Sequence, residues 1–188
     1  MRQEELLSIL SVAEKLKCNT RHSDTSSGRR ESVAEHSWRI ALMAMLLEDE
    51  FPDTDINKVI KMCLIHDLGE AFTGDIATFN KTQADSEKEE QIYQEWIDGF
   101  PEVQRKQFQE LLHEMAELKT KEARLYKALD KLEAVIQHNE ADIATWLPLE
   151  YDLQLTYGAK DVAFSPYLSK LKEYIDDWTR DKIEKSRR

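Results

Sequence analysis

The sequence has little that breaks or staples a chain: four prolines, five glycines and two cysteines in 188 residues. With so few breakers, and no stretch rich in Pro, Gly or Ser, there is no sign of an interdomain linker, and 188 residues are enough for one substantial core. One domain over residues 1–188 is expected, with a core of about 5–140 and a helical extension of about 141–185. Two cysteines cannot build a disulfide framework. Cys18 and Cys63 both stand in contexts that look helical and apolar, which predicts reduced, buried thiols. Long apolar runs are also missing. The longest, residues 40–47, is less than half of a membrane span, and Met1-Arg2-Gln3-Glu4-Glu5 carries no signal pattern, so a soluble, cytoplasmic protein without a membrane partner is expected. Positive charge is in deficit: the formal net charge of −11 disfavours any sequence-independent grip on a phosphate backbone and excludes nucleic acid as the expected partner.

Sustained strand alternation is absent as well, while nearly every segment shows the helical period, so the fold class is all-α. A first helix is predicted over about 3–16, then a polar loop over 19–30. In that loop Arg21, Arg29 and Arg30 gather with Ser26, Ser27 and Gly28, as an anion cradle or as a solvated loop would. Ser32 with Glu35 forms a capping-box pattern that opens a second helix, whose inward stripe is Val33, His36, Ile40, Ala44 and Leu47. Phe51-Pro52-Asp53-Thr54-Asp55 is a turn, and a third helix is predicted to about Gly69. Further helices are expected over about 84–98, after Pro101 (stripe Phe108, Leu111, Leu112, Met115, Leu118, leaving His113 outside), over about 120–138, and from about Pro166 with Tyr167, Leu168, Leu171, Tyr174, Ile175 and Trp178 inward. Residues 185–188 read as a frayed basic end.

The most informative stretch is Cys63-Leu64-Ile65-His66-Asp67-Leu68-Gly69-Glu70. Ile56, Ile60 and Cys63 mark an apolar stripe, and His66, Asp67 and Glu70 continue it at i+3, i+4 and i+7 from Cys63. Burying acids and imidazole costs several kcal/mol unless a partner neutralises them, and a divalent cation does so economically. For an isolated His-Asp pair, a solvated, frayed helix end near Gly69 is the more ordinary explanation. A second argument is geometric: about 14 residues run from His36 to the turn and about 12 back to His66, so at about 1.5 Å per residue the two histidines return to one level. Asp130 and Glu133 flank the seam of Leu125, Leu129, Leu132 and Ile136, and periodicity does not choose which of them faces inward.

Glu35-His36-Ser37, His66-Asp67 and an acid about 60 residues later have the order and spacing of the HD-domain phosphohydrolase superfamily, which the chain resembles. His66-Asp67-Leu68-Gly69-Glu70 followed by Thr73-Gly74-Asp75-Ile76-Ala77-Thr78, with Asn19-Thr20-Arg21 and Ser32-Val33-Ala34-Glu35-His36 upstream, is similar to its 5'-deoxynucleotidase branch. The likeness covers roughly residues 5–140. It implies a single-domain helical bundle with a metal site between core helices. By position it implies one divalent transition metal on His36, His66, Asp67 and Asp130, since Asp130 matches the later motif better than Glu133. It further implies Glu70, Asp75 and Arg21 as catalytic groups, Arg21 orienting the substrate phosphate. The implied substrate contacts are Arg21, His22, His36, Asp67, Asp75, Ile76, Ala77, Thr78 and Asp130. Some members hold a second metal, such as magnesium, near the equivalents of Glu70 and Asp75, and a homodimer is implied. Where the family often has tryptophan and proline, this chain has His22 and Phe79, both where a nucleoside would rest.

Two imidazoles with two carboxylates suit manganese, cobalt, nickel, iron or zinc better than calcium. The reaction implied is hydrolysis of deoxyribonucleoside 5'-monophosphates, small-molecule nucleotides, to nucleoside and phosphate. Dinuclear HD phosphodiesterases and oxygenases need extra histidines where this chain has only His113, and guanosine tetraphosphate hydrolases usually carry an acidic pair where Glu70 is followed by Ala71. A metal-holding module without turnover would not need Glu70, Asp75 and Arg21 together.

Overall fold

The computed structural model describes residues 1–187. The all-α expectation holds, with one small addition. Helix α1 spans Gln3–Ala13 and tightens into a 3-10 turn over Glu14–Lys17. The predicted 19–30 loop is instead a hairpin, β1 (Thr20–Asp24) pairing antiparallel with β2 (Arg30–Ser32). Gly28, at φ 81°, supplies the left-handed turn residue, and Thr25 N–H donates to the Arg29 carbonyl to close it. Its inward residues are Ser23, Glu31 and Ser32, all polar, so apolar alternation could not announce these strands.

The capping box opens α2 (Val33–Leu46) as expected: Ser32 Oγ accepts from Glu35 N–H at 3.2 Å while Glu35 Oε2 accepts from Ser32 N–H at 2.9 Å. Asp55 caps α3 (Ile56–Ile65) through Lys58 N–H. Helix α3 ends at Ile65, short of the predicted Gly69, because residues 66–69 wind into tight turns before α4 (Glu70–Thr73), which stops at Gly74 with φ 76°. Then come α5 (Gln83–Asp98), α6 (Glu102–Glu117), α7 (Lys121–Glu140), α8 (Glu150–Thr156), α9 (Ala159–Val162) and α10 (Pro166–Ser186).

Helices α2, α3 and α7 form the central trio. Ile40 and Ala44 of α2, Val59, Met62 and Cys63 of α3, and Leu125, Leu129 and Leu132 of α7 are buried together, each larger side chain contributing about 1.5–3 kcal/mol relative to exposure. This apolar block holds the inner ends of α2, α3 and α7 in register.

Several expectations are corrected. Cys18 is exposed, because it lies past the end of the first helical segment, while Cys63 is buried. Leu118 is exposed and ends α6 in a left-handed conformation, φ 51°. Tyr167, Tyr174 and Trp178 of α10 stay exposed, since Leu168 and Ile175 carry its packing. The C-terminal residues expected to fray continue α10 through Ser186, and Arg188 lies outside the described residues.

Candidate metal centre and active site

Helices α2 and α3 are antiparallel neighbours, and they bring His36 and His66 to a ring separation of 5.3 Å. His66 Nδ1 lies 2.8 Å from the Cys63 carbonyl one turn back, so Nδ1 carries the proton and donates it there. Its Nε2 then presents a lone pair. That atom is buried without a hydrogen-bond partner, with Asp67 Oδ2 at 3.0 Å and Asp130 Oδ1 at 3.9 Å. His36 repeats the arrangement. Its Nδ1 donates to Glu133, and its Nε2 faces Asp130 Oδ1 at 3.3 Å and Asp67 Oδ2 at 3.9 Å. Facing atoms of His36, His66 and Asp67 all lie within 4.8 Å of one another. Asp130 stands beside both imidazoles, its other oxygen taken by Lys127 at 2.8 Å.

These donors fit a divalent cation. The unpartnered Nε2 of His66 and the Nε2 of His36, a lone-pair donor once its ring is neutral, converge with two carboxylates, and each imidazole is oriented from behind by an acceptor. Glu31, His36 and Glu133 form a second group within 4.8 Å, but Glu133 holds the proton-bearing nitrogen of His36 and so orients the ring. The choice between Asp130 and Glu133 that periodicity left open is thus resolved by position: both face inward, on opposite sides of one imidazole.

Charge is crowded here. Arg21, the inward arginine of the hairpin, reaches Asp67 at 3.3 Å, Glu31 at 3.5 Å and Asp75 at 3.8 Å. Arg29 and Arg30 turn away, to Glu35 and Asp24, so the three arginines form no common cradle. Burial pushes the Asp67 and Asp130 carboxyls up, but His66 and Arg21 for the first, and Lys127 and His36 for the second, hold them below the usual carboxylate range. Burial and Arg21 press the His36 pKa down, yet Glu133 and Asp130 prevail and lift it to about 9. Glu70 is buried, with Oε2 unpartnered; burial first, then Asp67 and Asp75, push its carboxyl up to about 10. Asp75 is raised by burial, against the pull of Arg21. Glu31, bonded to Ser23 Oγ at 2.9 Å, is pushed to about 7 by burial and by Glu133. Asn19 Nδ2 donates to the Glu70 carbonyl, tying the hairpin to the turn that carries Glu70.

Beside this cluster lies a cleft lined by Arg21, His22, Asp75, Ala77, Thr78 and Phe79 on one side. Of the predicted substrate contacts, Ile76 does not line it; His36, Asp67 and Asp130 belong to the candidate metal cluster beside Arg21. The other wall comes from residues that the sequence reading did not single out, His138 of α7 and Glu150, Gln154 and Tyr157 of the α8 segment. Their spacing at 150, 154 and 157 is a helical face, the one signal that could have marked them. Glu70 and Asp75 join no third potential ligand within 4.8 Å among the described residues. His113 stays exposed on α6, as expected.

The family model of the HD domain matches residues 13–172. Human 5'-deoxynucleotidase HDDC2 is 32% identical over 114 residues, 60% of this chain and 55% of its own length, so the chain spans about half of that relative. The 5'-deoxynucleotidase YBR242W of Saccharomyces cerevisiae is 27% identical over 192 residues, 95% of this chain and 74% of its own. Among solved structures, a predicted metal-dependent phosphohydrolase of Magnetospirillum magnetotacticum superposes with a TM-score of 0.80 at 28% identity, over 96% of this chain and 94% of that one. With most of its length matched by the family model and its histidines and aspartates meeting between α2, α3 and α7, the chain belongs to the HD-domain family.

Proposed function

We propose that this single-domain chain is a metal-dependent 5'-deoxynucleotidase, hydrolysing deoxyribonucleoside 5'-monophosphates to nucleoside and phosphate. The observation that carries this reading is the convergence of two imidazole Nε2 atoms and two carboxylates, with an inward arginine 3.3 Å from one of those carboxylates, at the mouth of a cleft. His36, His66, Asp67 and Asp130 would hold one divalent transition metal, which when bound supplies positive charge for the phosphate and acidifies a water. Arg21 orients the phosphate, its guanidinium held by Asp67, Glu31 and Asp75 so that it points without searching rotamers. Glu70 moves the proton at Oε2, a buried and unpartnered atom of a carboxyl that burial, Asp67 and Asp75 push up to about 10. Asp75 sits across Arg21 and aligns the attacking water. The 5'-deoxynucleotidase names of the human and yeast relatives support the substrate class.

The test is phosphate release from matched deoxyribo- and ribonucleoside 5'-monophosphates with manganese or cobalt present. A clear preference for the deoxy substrates is expected, with little reaction at 3'-monophosphates. Equal rates for both sugars would refute the deoxynucleotidase reading, and preferential cleavage of guanosine tetraphosphate would move the protein to another class of HD hydrolase.

A further inference from the structure

Three side-chain amides in this fold are almost fully buried. Gln137 is bonded at both ends, accepting from Arg39 at 2.9 Å and donating to the Asp24 carbonyl at 2.7 Å. Asn139 is bonded at both ends by Thr179. Gln154 differs. It is only 4% exposed, lines the cleft from α8, and its side-chain amide makes no hydrogen bond among the described residues. Its amide atoms are not among the buried unpartnered ones, so they open on the cleft, and with no partner in the chain their hydrogen-bonding capacity is left for a group that enters there.

The surroundings say what kind. One end of the cleft is polar and cationic, at Arg21 beside Asp75. Its flanks are flat or apolar: Phe79 and His22 meet edge to face at 5.3 Å, with Ala134 and Leu153 lining beside them. Glu150 is not free to bind anything: its Oε2 accepts from Leu147 N–H at 2.6 Å, and its Oε1 lies between His138 Nε2 at 3.0 Å and His22 Nε2 at 3.2 Å. Its carboxylate thus lies against His22, whose ring meets Phe79. Tyr157 closes the side, its hydroxyl 2.7 Å from Lys131 Nζ and 3.1 Å from Thr78 Oγ1.

We propose that α8 supplies the nucleobase subsite, with Gln154 the residue that hydrogen-bonds the base edge and Glu150 the positioning residue that sets the His22 wall. This rests on the nucleotide reading above and adds to it the element that recognises the base. A carboxamide offers one acceptor and one paired donor side by side and can turn over, so it satisfies any base that presents a donor next to an acceptor. All four common bases do. The subsite therefore selects for a heterocycle over none, and only weakly among heterocycles.

The test compares two substrates, deoxyadenosine 5'-monophosphate and the abasic 2-deoxyribose 5-phosphate, in the parent and in Gln154→Leu. The ratio of their kcat/KM values is expected to fall about tenfold in the variant, chiefly through KM of the nucleotide. An unchanged ratio overturns the proposal. Gln154→Met, which keeps the length of the side chain, provides the same comparison if the leucine substitution disturbs folding. A second readout needs no turnover: deoxyadenosine binding measured by calorimetry should be detectable in the parent and weakened in either variant, and equal binding in parent and variants overturns the subsite. If the parent hydrolyses neither phosphate yet binds deoxyadenosine through Gln154, the catalytic reading fails while the subsite stands. For Glu150→Gln, the shape is kept and the carboxylate's negative charge beside the two imidazoles is lost. It should raise KM for the nucleotide with a smaller effect on kcat, whereas an equal fall for both substrates would mark Glu150 as merely structural.

Discussion

Glu133 and His36 are joined through Nδ1 with both side chains at 0% exposure, on the opposite side of the imidazole from Asp130. The pair fixes which nitrogen keeps its proton, so that when the ring becomes neutral Nε2 turns its lone pair toward Asp67 and Asp130. Glu133→Gln is therefore expected to weaken metal binding by about 10–100-fold while the helical fold is retained. Metal retained after dialysis against graded chelator measures this. Parent-like retention would mean that Glu133 has no orienting role. In the same assay His66→Ala and Asp67→Ala should lose metal and activity together, and full retention in both would remove the proposed centre.

A pH dependence follows from His36. Its pKa is raised from 6.5 to about 9, so in the metal-free chain the protonated ring favours the fold; that contribution is fully present below about 6.5 and is lost as pH rises through about 9. A metal requires the neutral ring. Binding at pH 7 should thus release about one proton or more, with affinity rising toward pH 9 and the His36 share of the release vanishing above it. Calorimetric titration in buffers of different ionisation enthalpy counts the protons. No release at pH 7 would contradict the assignment of His36 as a ligand.

Glu70 tests the division between holding a metal and moving a proton. Glu70→Ala should keep the tightly held metal and lose at least about a hundredfold in kcat. Hydrolysis at the parent rate would reduce Glu70 to a buried structural acid, and loss of metal with activity would make it a ligand.

Gly158 sits at φ 75°, and a Cβ built there would meet Lys131 Cβ at 2.8 Å. Backbone strain and overlap act together, so Gly158→Ala should destabilise the protein by about 1–3 kcal/mol and disturb the Tyr157 contact to Lys131. Thermal unfolding reads the stability change. An unchanged midpoint would show that the α8–α9 turn yields without cost.

Much of this protein was legible in the chain alone because helical faces are local. The spacing from Val33 to Ala44 decides that His36 points inward whatever packs against it, and Ser32 with Glu35 marks the start of α2 through bonds spanning three residues. The helical period likewise excluded a large sheet, and the return length of two helices placed His36 level with His66. What the tertiary structure decided depends on contacts between distant segments. His36 and Glu133 are 97 residues apart, and only the packing of α2 on α7 determines that Glu133 takes Nδ1 while Asp130 faces Nε2. The hairpin was hidden because its inward residues are polar and pair with the site rather than with the apolar core. The wall of α8 was hidden too, since a short amphipathic helix states which face is inward but not what it will cover; the turn at Gly158 and the Tyr157 contacts to Lys131 and Thr78 set it over the cleft.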